Sequence, residues 1–103
     1  MASIPYETRQ EGDAMVVDLN QEIDLHHSTS VKAHIGAVLQ QQPPTLIVNL
    51  QHVTYIDSSG LATLIDTHQK MKAYQGKLIL RGMNEPVRKV FEVARLDRYF
   101  TIL

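Results

Sequence analysis

The chain has 103 residues, 44% of them hydrophobic and 20% charged, with a formal net charge of -1. That leaves room for a single domain across residues 1–103, and the lack of any block of Lys and Arg excludes the phosphate-backbone grip of a nucleic-acid binder. No cysteine is present to supply a disulfide framework, a thiolate metal site or a nucleophile, and apolar stretches such as Leu46-Ile47-Val48 fall far short of a membrane span.

From Met1 to Gly12 there is no basic start followed by an apolar run, so no signal peptide is expected and the domain reads as soluble and cytoplasmic. Tyr6-Glu7-Thr8-Arg9 alternates, Met15-Val16-Val17-Asp18-Leu19 reads as a strand with a polar outlet at Asp18, and Glu11-Gly12-Asp13 between them has hairpin-turn composition. A helix capped by Ser28 or Ser30 follows, with the stripe Val31, Ile35, Val38 and Leu39; Pro43-Pro44 ends it. Leu46-Ile47-Val48-Asn49-Leu50 has the apolar, β-branched character of a strand buried on both faces. A second helix after Asp57-Ser58-Ser59-Gly60 carries Leu61, Leu64, Ile65, His68 and Met71 on one side, with Gly76 placed for a left-handed cap. Lys77-Leu78-Ile79-Leu80 gives another buried strand. Asn84-Glu85-Pro86 then opens a third helix, with a capping side chain and a first-turn proline ahead of Val87, Val90, Phe91 and Ala94. Weak alternation over Tyr99–Leu103 allows a short last strand. The order is β-β-α-β-α-β-α with that tail. Helices alternating with buried strands predict right-handed crossovers, so the expected fold is α/β: a small mixed sheet with helices packed on it.

The segment Asp57-Ser58-Ser59-Gly60 joins a strand region to a helix start, where loops at the carboxyl ends of parallel strands gather ligands and partners. Its plainer reading is capping, because Asp, Ser and Gly are favoured at helix starts. Its functional reading is a phosphate acceptor. A phosphoserine adds about -1.5 to -2 charge, which a helix N-terminus tolerates and an acidic docked partner does not. Gly60, lacking a Cβ, lets another chain approach closely. Glu22 and Asp24 join Asp57 in an acidic group if the two loops lie side by side, either solvated or facing a partner's Arg. An enzyme is not expected. Residue 56 is Ile where a nucleophile elbow needs Gly, and His68 falls on the apolar helix face about three turns from the serines. None of the five histidines (His26, His27, His34, His52 and His68) has a metal-binding spacing, and no Gly-rich phosphate loop exists, so neither metal nor cofactor is expected.

Asp57-Ser58-Ser59-Gly60-Leu61 after an apolar-rich segment, Glu22-Ile23-Asp24 upstream, and Asn84-Glu85-Pro86-Val87-Arg88-Lys89-Val90-Phe91 downstream occur in one order. In that order, from roughly Met15 to Leu103, the chain resembles the bacterial anti-sigma factor antagonists of the STAS domain family. The resemblance implies a partner switch. The unmodified antagonist binds an anti-sigma factor that is also a serine kinase; phosphorylation releases it, and a PP2C-type phosphatase resets it. It implies that Ser58 is the acceptor, that Asp57, Ser59, Gly60 and Leu61 form the motif around it, and that Glu22 and Asp24 lie on the same partner-binding surface. A monomer or weak dimer is expected. The alternative it implies is a scaffold subunit of a signalling or lipid-transport assembly. The sequence departs from the family where Gly often precedes Glu-Ile-Asp: here that residue is Gln21.

Overall fold

The computed structural model describes residues 6–20 and 22–103; Gln21 lies outside them. Gly12, at φ +62°, starts the two-residue connection between strands β1 (Tyr6–Glu11) and β2 (Ala14–Leu19), a conformation that costs glycine nothing. The hairpin is antiparallel and unbroken, with Tyr6 opposite Leu19 and Glu11 opposite Ala14. Both strands are longer than the alternation suggests.

From β2 onward every pairing is parallel. Strands β3 (Thr45–Asn49), β4 (Lys77–Arg81) and β5 (Thr101–Ile102) follow in order, giving a sheet β1-β2-β3-β4-β5. Helices α1 (Ser28–Leu39), α2 (Ser58–Ala73) and α3 (Glu85–Val93) make the crossovers. Right-handed crossovers that always advance in one direction put their helices on one face. The core bears this out: Val17, Leu19, Leu46, Val48, Leu78 and Leu80 alternate toward that face and meet Val31 and Ile35 of α1, Leu64 and Met71 of α2, and Phe91 of α3. Each such fully buried side chain contributes about 1.5–3 kcal/mol of hydrophobic stabilisation.

On the opposite face the burial expected of Leu46-Ile47-Val48 is reached without helices. Val16 and Ile47 are buried there, in one register row with Arg9 and the half-buried Ile79, yet among the described residues no helix joins them. Instead the row is bordered by ion pairs: Arg9–Asp18 at 2.8 Å, Arg9–Glu11 at 2.9 Å and Arg81–Glu11 at 3.1 Å. Long charged side chains can lay their stems over apolar surface while keeping their heads in water.

Several local details correct the sequence reading. Neither Ser28 nor Ser30 caps α1; its N-cap is His27, and Asp24 folds back to accept the His27 amide. In α2 the buried face is Gly60, Thr63, Leu64, Thr67 and Met71, while Leu61, Ile65 and His68 are only partly buried. Thr63 and Thr67 tolerate burial because each hydroxyl donates to the carbonyl four residues back, of Ser59 and Thr63 respectively. The left-handed residue after α2 is Gln75 (φ +67°), not Gly76. On α3, Val87 and Phe91 are buried, Val90 is half-buried and Ala94 exposed.

Candidate functional site

Because β2 and β3 run parallel, the loops leaving their carboxyl ends emerge side by side. They are then sewn together. Ile23 and Ile56 form a parallel bridge beyond the sheet, in which the Ile23 N–H donates to the Tyr55 carbonyl (3.0 Å) and the Asp57 N–H donates to the Ile23 carbonyl (3.2 Å). Both isoleucine side chains are buried, so alternation turns Tyr55 outward.

Asp57 is the cap of α2. Its Oδ1 accepts from the amides of Ser59 (2.9 Å) and Gly60 (3.1 Å), and its Oδ2 accepts from the Leu25 amide (3.0 Å) of the neighbouring loop. The carboxylate is thereby committed to its own chain as a staple. Gly60 is buried directly beneath the crossing loop. A Cβ there would sit 2.3 Å from the Ile23 carbonyl oxygen and 2.7 Å from Ile56 Cγ1. Its missing side chain admits the chain's own Ile23, not a foreign chain as the sequence reading had it.

Ser58 is the first residue of α2 and is exposed, with no side-chain hydrogen bond among the described residues. Ser59 is half-buried and opens into a groove between α1 and α2 shared with Ser28, Thr29, Lys32, Ala62 and Thr63. Leu61, one turn beyond Ser58, lies on the other flank of α2 in an apolar groove with Pro86, Lys89, Val90, Val93 and Ala94. Asp24 and Asp57 line a third, open depression of about 570 Å³ with Leu25, His26 and Tyr55. Ser58 lines none of the three, but its chain neighbours Asp57 and Ser59 line two of them and Leu61, one turn on, lines the other.

Asp24 Oδ1 accepts the His27 amide at 3.0 Å and lies 2.9 Å from His27 Nδ1. Desolvation pushes its pKa up, but the His27 contacts outweigh this and hold the carboxyl below its ordinary value, as an anion. Glu22 is exposed and accepts from Thr54 Oγ1 at 3.4 Å. The expected acidic cluster is therefore present as neighbours, but with Asp57 turned inward. Two residues were missed: Leu25 is 76% exposed and Tyr55 53%. Only the outward phase of the alternation around Ile56 marks Tyr55 in the sequence, and Leu25 breaks alternation because the turn at Asp24 intervenes.

His68 packs edge-on against Tyr99 and Phe100, at centroid distances of 4.8 and 5.8 Å. Ten residues along α2, it is about 15 Å from Ser58, so serine and imidazole do not form a nucleophile–base pair. Among the described residues no group of three or more potential ligands could hold a metal ion, and no helix is long and apolar enough to cross a membrane.

Residues 5–103 match the STAS domain model. The chain belongs to the STAS domain family. This STAS domain is 31% identical over 85 residues to the anti-sigma F factor antagonist of Lysinibacillus sphaericus, covering 82% of this chain and 73% of that one. An anti-sigma factor antagonist from Mycobacterium paratuberculosis superimposes with a TM-score of 0.87 at 27% identity, over 97% of this chain and 85% of that one. The phosphorylated form of the Bacillus cell fate determinant SpoIIAA shares the fold, with a TM-score of 0.71 at 24% identity over 95% and 90% of the two chains.

Proposed function

We propose that this STAS domain is a cytoplasmic anti-sigma factor antagonist working as a phosphorylation-controlled binding protein. Unphosphorylated, it docks an anti-sigma factor that is also a serine kinase. Docking uses the surface around Ser58: Glu22 and Asp24 with Leu25 and Tyr55 on one side, Ser59 on the second, Leu61 on the third. Asp57 and Gly60 hold that surface in shape from within. Phosphorylation of Ser58 ends the complex, and a PP2C-type phosphatase restores it.

The observation that carries this reading is the division of labour between Asp57 and Ser58. The cap is supplied entirely by the Asp57 carboxylate, which leaves the Ser58 hydroxyl exposed and unbonded at the first helical position. A phosphate there removes no hydrogen bond from the fold and meets the positive end of the helix. A docked partner loses instead, because about -1.5 to -2 charge arrives on an exposed residue flanked by Asp57 and Ser59, which line two of the depressions.

The test uses the serine kinase encoded in the same genome. Incubation with ATP should place phosphate on Ser58 alone, located by mass spectrometry. In calorimetry Ser58→Asp should bind that kinase at least about tenfold more weakly than Ser58→Ala, about 1.4 kcal/mol. Phosphate on another residue, or equal affinities, removes the reading.

A further inference from the structure

Among the described residues strand β1 is an edge of the sheet, hydrogen-bonded to β2 on one side only. Natural proteins usually blunt such an edge with proline, a bulge, brevity, charged side chains or a covering segment. Of these β1 has, among the described residues, only the charges, and they alternate in sign as Glu7, Arg9 and Glu11; Tyr6–Glu11 contains no proline, and the pairing with β2 runs through six consecutive residues without a bulge. Glu7 through Glu11 are all exposed.

The charge order along this edge is self-complementary. Glu7, Arg9 and Glu11 share one face and Thr8 and Gln10 the other. If a second copy pairs antiparallel about a two-fold axis through Thr8, Thr8 meets Thr8, Glu7 meets Arg9, and Arg9 meets Glu7, with helices of both copies on the same side. Shifting the axis to Arg9 sets Arg9 against Arg9 and Glu7 against Glu11, which like-charge repulsion disfavours. Glu7 also has a reason to accept a cation. In the hairpin it lies directly opposite Asp18, whose carboxylate is already held by Arg9, and among the described residues Glu7 itself has no ion-pair partner.

Helix α1 fits the same arrangement. Thr8 Oγ1 is 2.8 Å from His34 Nε2, so the His34 flank of α1 lies over β1. One turn either side of His34, that flank carries Ser30, Ala33 and Ala37, all exposed, small and uncharged, whereas Lys32 lies on the α2 side. Two α1 helices can thus approach across the axis without burying a charge.

We infer that two copies of this chain associate through antiparallel pairing of their β1 edges about Thr8, flanked by α1 against α1. The interface is isologous and leaves the Ser58 surfaces at opposite ends of one continuous sheet. Sedimentation equilibrium of the full chain from about 1 to 500 µM should show the mass rising from 11.7 kDa toward that of a dimer. Glu7→Arg and Arg9→Glu should each raise the dissociation constant at least tenfold, with circular dichroism melts reporting that both still fold. An equimolar mixture of the two variants should recover association, because each then meets its opposite charge at both positions. A wild-type chain that stays monomeric throughout, self-association of Glu7→Arg equal to wild type, or no recovery on mixing overturns the proposal.

Discussion

Gly60 shows how much a single absent atom decides. The β2–α1 loop crosses the start of α2 so closely that a built Cβ at residue 60 falls 2.3 Å from a backbone oxygen, which cannot rotate away as a side chain could. Gly60→Ala should therefore push the Ile23 segment off the helix and cost about 1–3 kcal/mol, as overpacking does. Urea denaturation checks this, with Ser58→Ala as the control expected within about 0.5 kcal/mol of wild type. At this scale the sequence was only half legible. Asp57-Ser58-Ser59-Gly60 announces a cap, but Asp and Ser cap about equally well, and local preference cannot say which one does. The choice fell to Asp57 because its second oxygen also reaches the Leu25 amide, a partner distant in sequence. The same distance hid the purpose of Gly60.

Among the elements, α3 was read most fully. Asn84 caps it through Oδ1 to the Val87 amide at 3.0 Å, and Pro86 occupies the first turn where its missing N–H is harmless. What the pattern did not show is the other end of the same amide, whose Nδ2 donates to the carbonyl of the buried Val53 at 3.0 Å. Asn84→Ala loses both bonds and should cost about 2 kcal/mol, more than the typical cap alone. Asn84→Asp should recover the capping part only, so thermal melts of the two variants separate the contributions. Helix α2 was misread for a different reason. Thr63 and Thr67 look like surface residues until their hydroxyls are satisfied within the helix, while Leu61 reads as core but lies along the α2–α3 groove. Gly76 reads as a cap, yet an added Cβ would meet the Tyr74 ring at 2.7 Å; space, not a left-handed backbone, calls for glycine there. The α1 stripe, by contrast, is buried as the periodicity predicts, since neither a polar anchor nor an aromatic ring interferes.

Across the whole molecule, the two faces of the sheet respond differently to acid. On the open face Arg9 holds the Asp18 carboxyl below its ordinary value, and Arg81 followed by Arg9 does the same for Glu11. A carboxylate with a depressed folded pKa stabilises above its unfolded value and loses that contribution as pH falls through the folded one. On the helical face burial lowers the pKa of His34. The unfolded chain then takes up that proton first, so stability also declines as pH drops below the ordinary 6.5. Urea midpoints should thus fall in two stages, a first setting in below pH 6.5 and removed by His34→Gln, and a second, at the more acidic pH where the carboxylates protonate, that His34→Gln leaves in place. A flat profile from pH 7 to 5 would refute the first stage. The order of strands and helices was legible throughout because each crossover repeats one simple pattern; the ion-paired face was not, since Glu11 and Arg81 meet only after the sheet has formed. The Ile23–Ile56 bridge also ties the opening of the two loops together. Amides of Ile23, Leu25, Asp57, Ser59 and Gly60 are all held at this junction by Ile23, Tyr55 or Asp57, so hydrogen exchange should find them opening as one cooperative unit. Two surface loops should then behave, on the hydrogen-exchange timescale, as a single lid of the sheet.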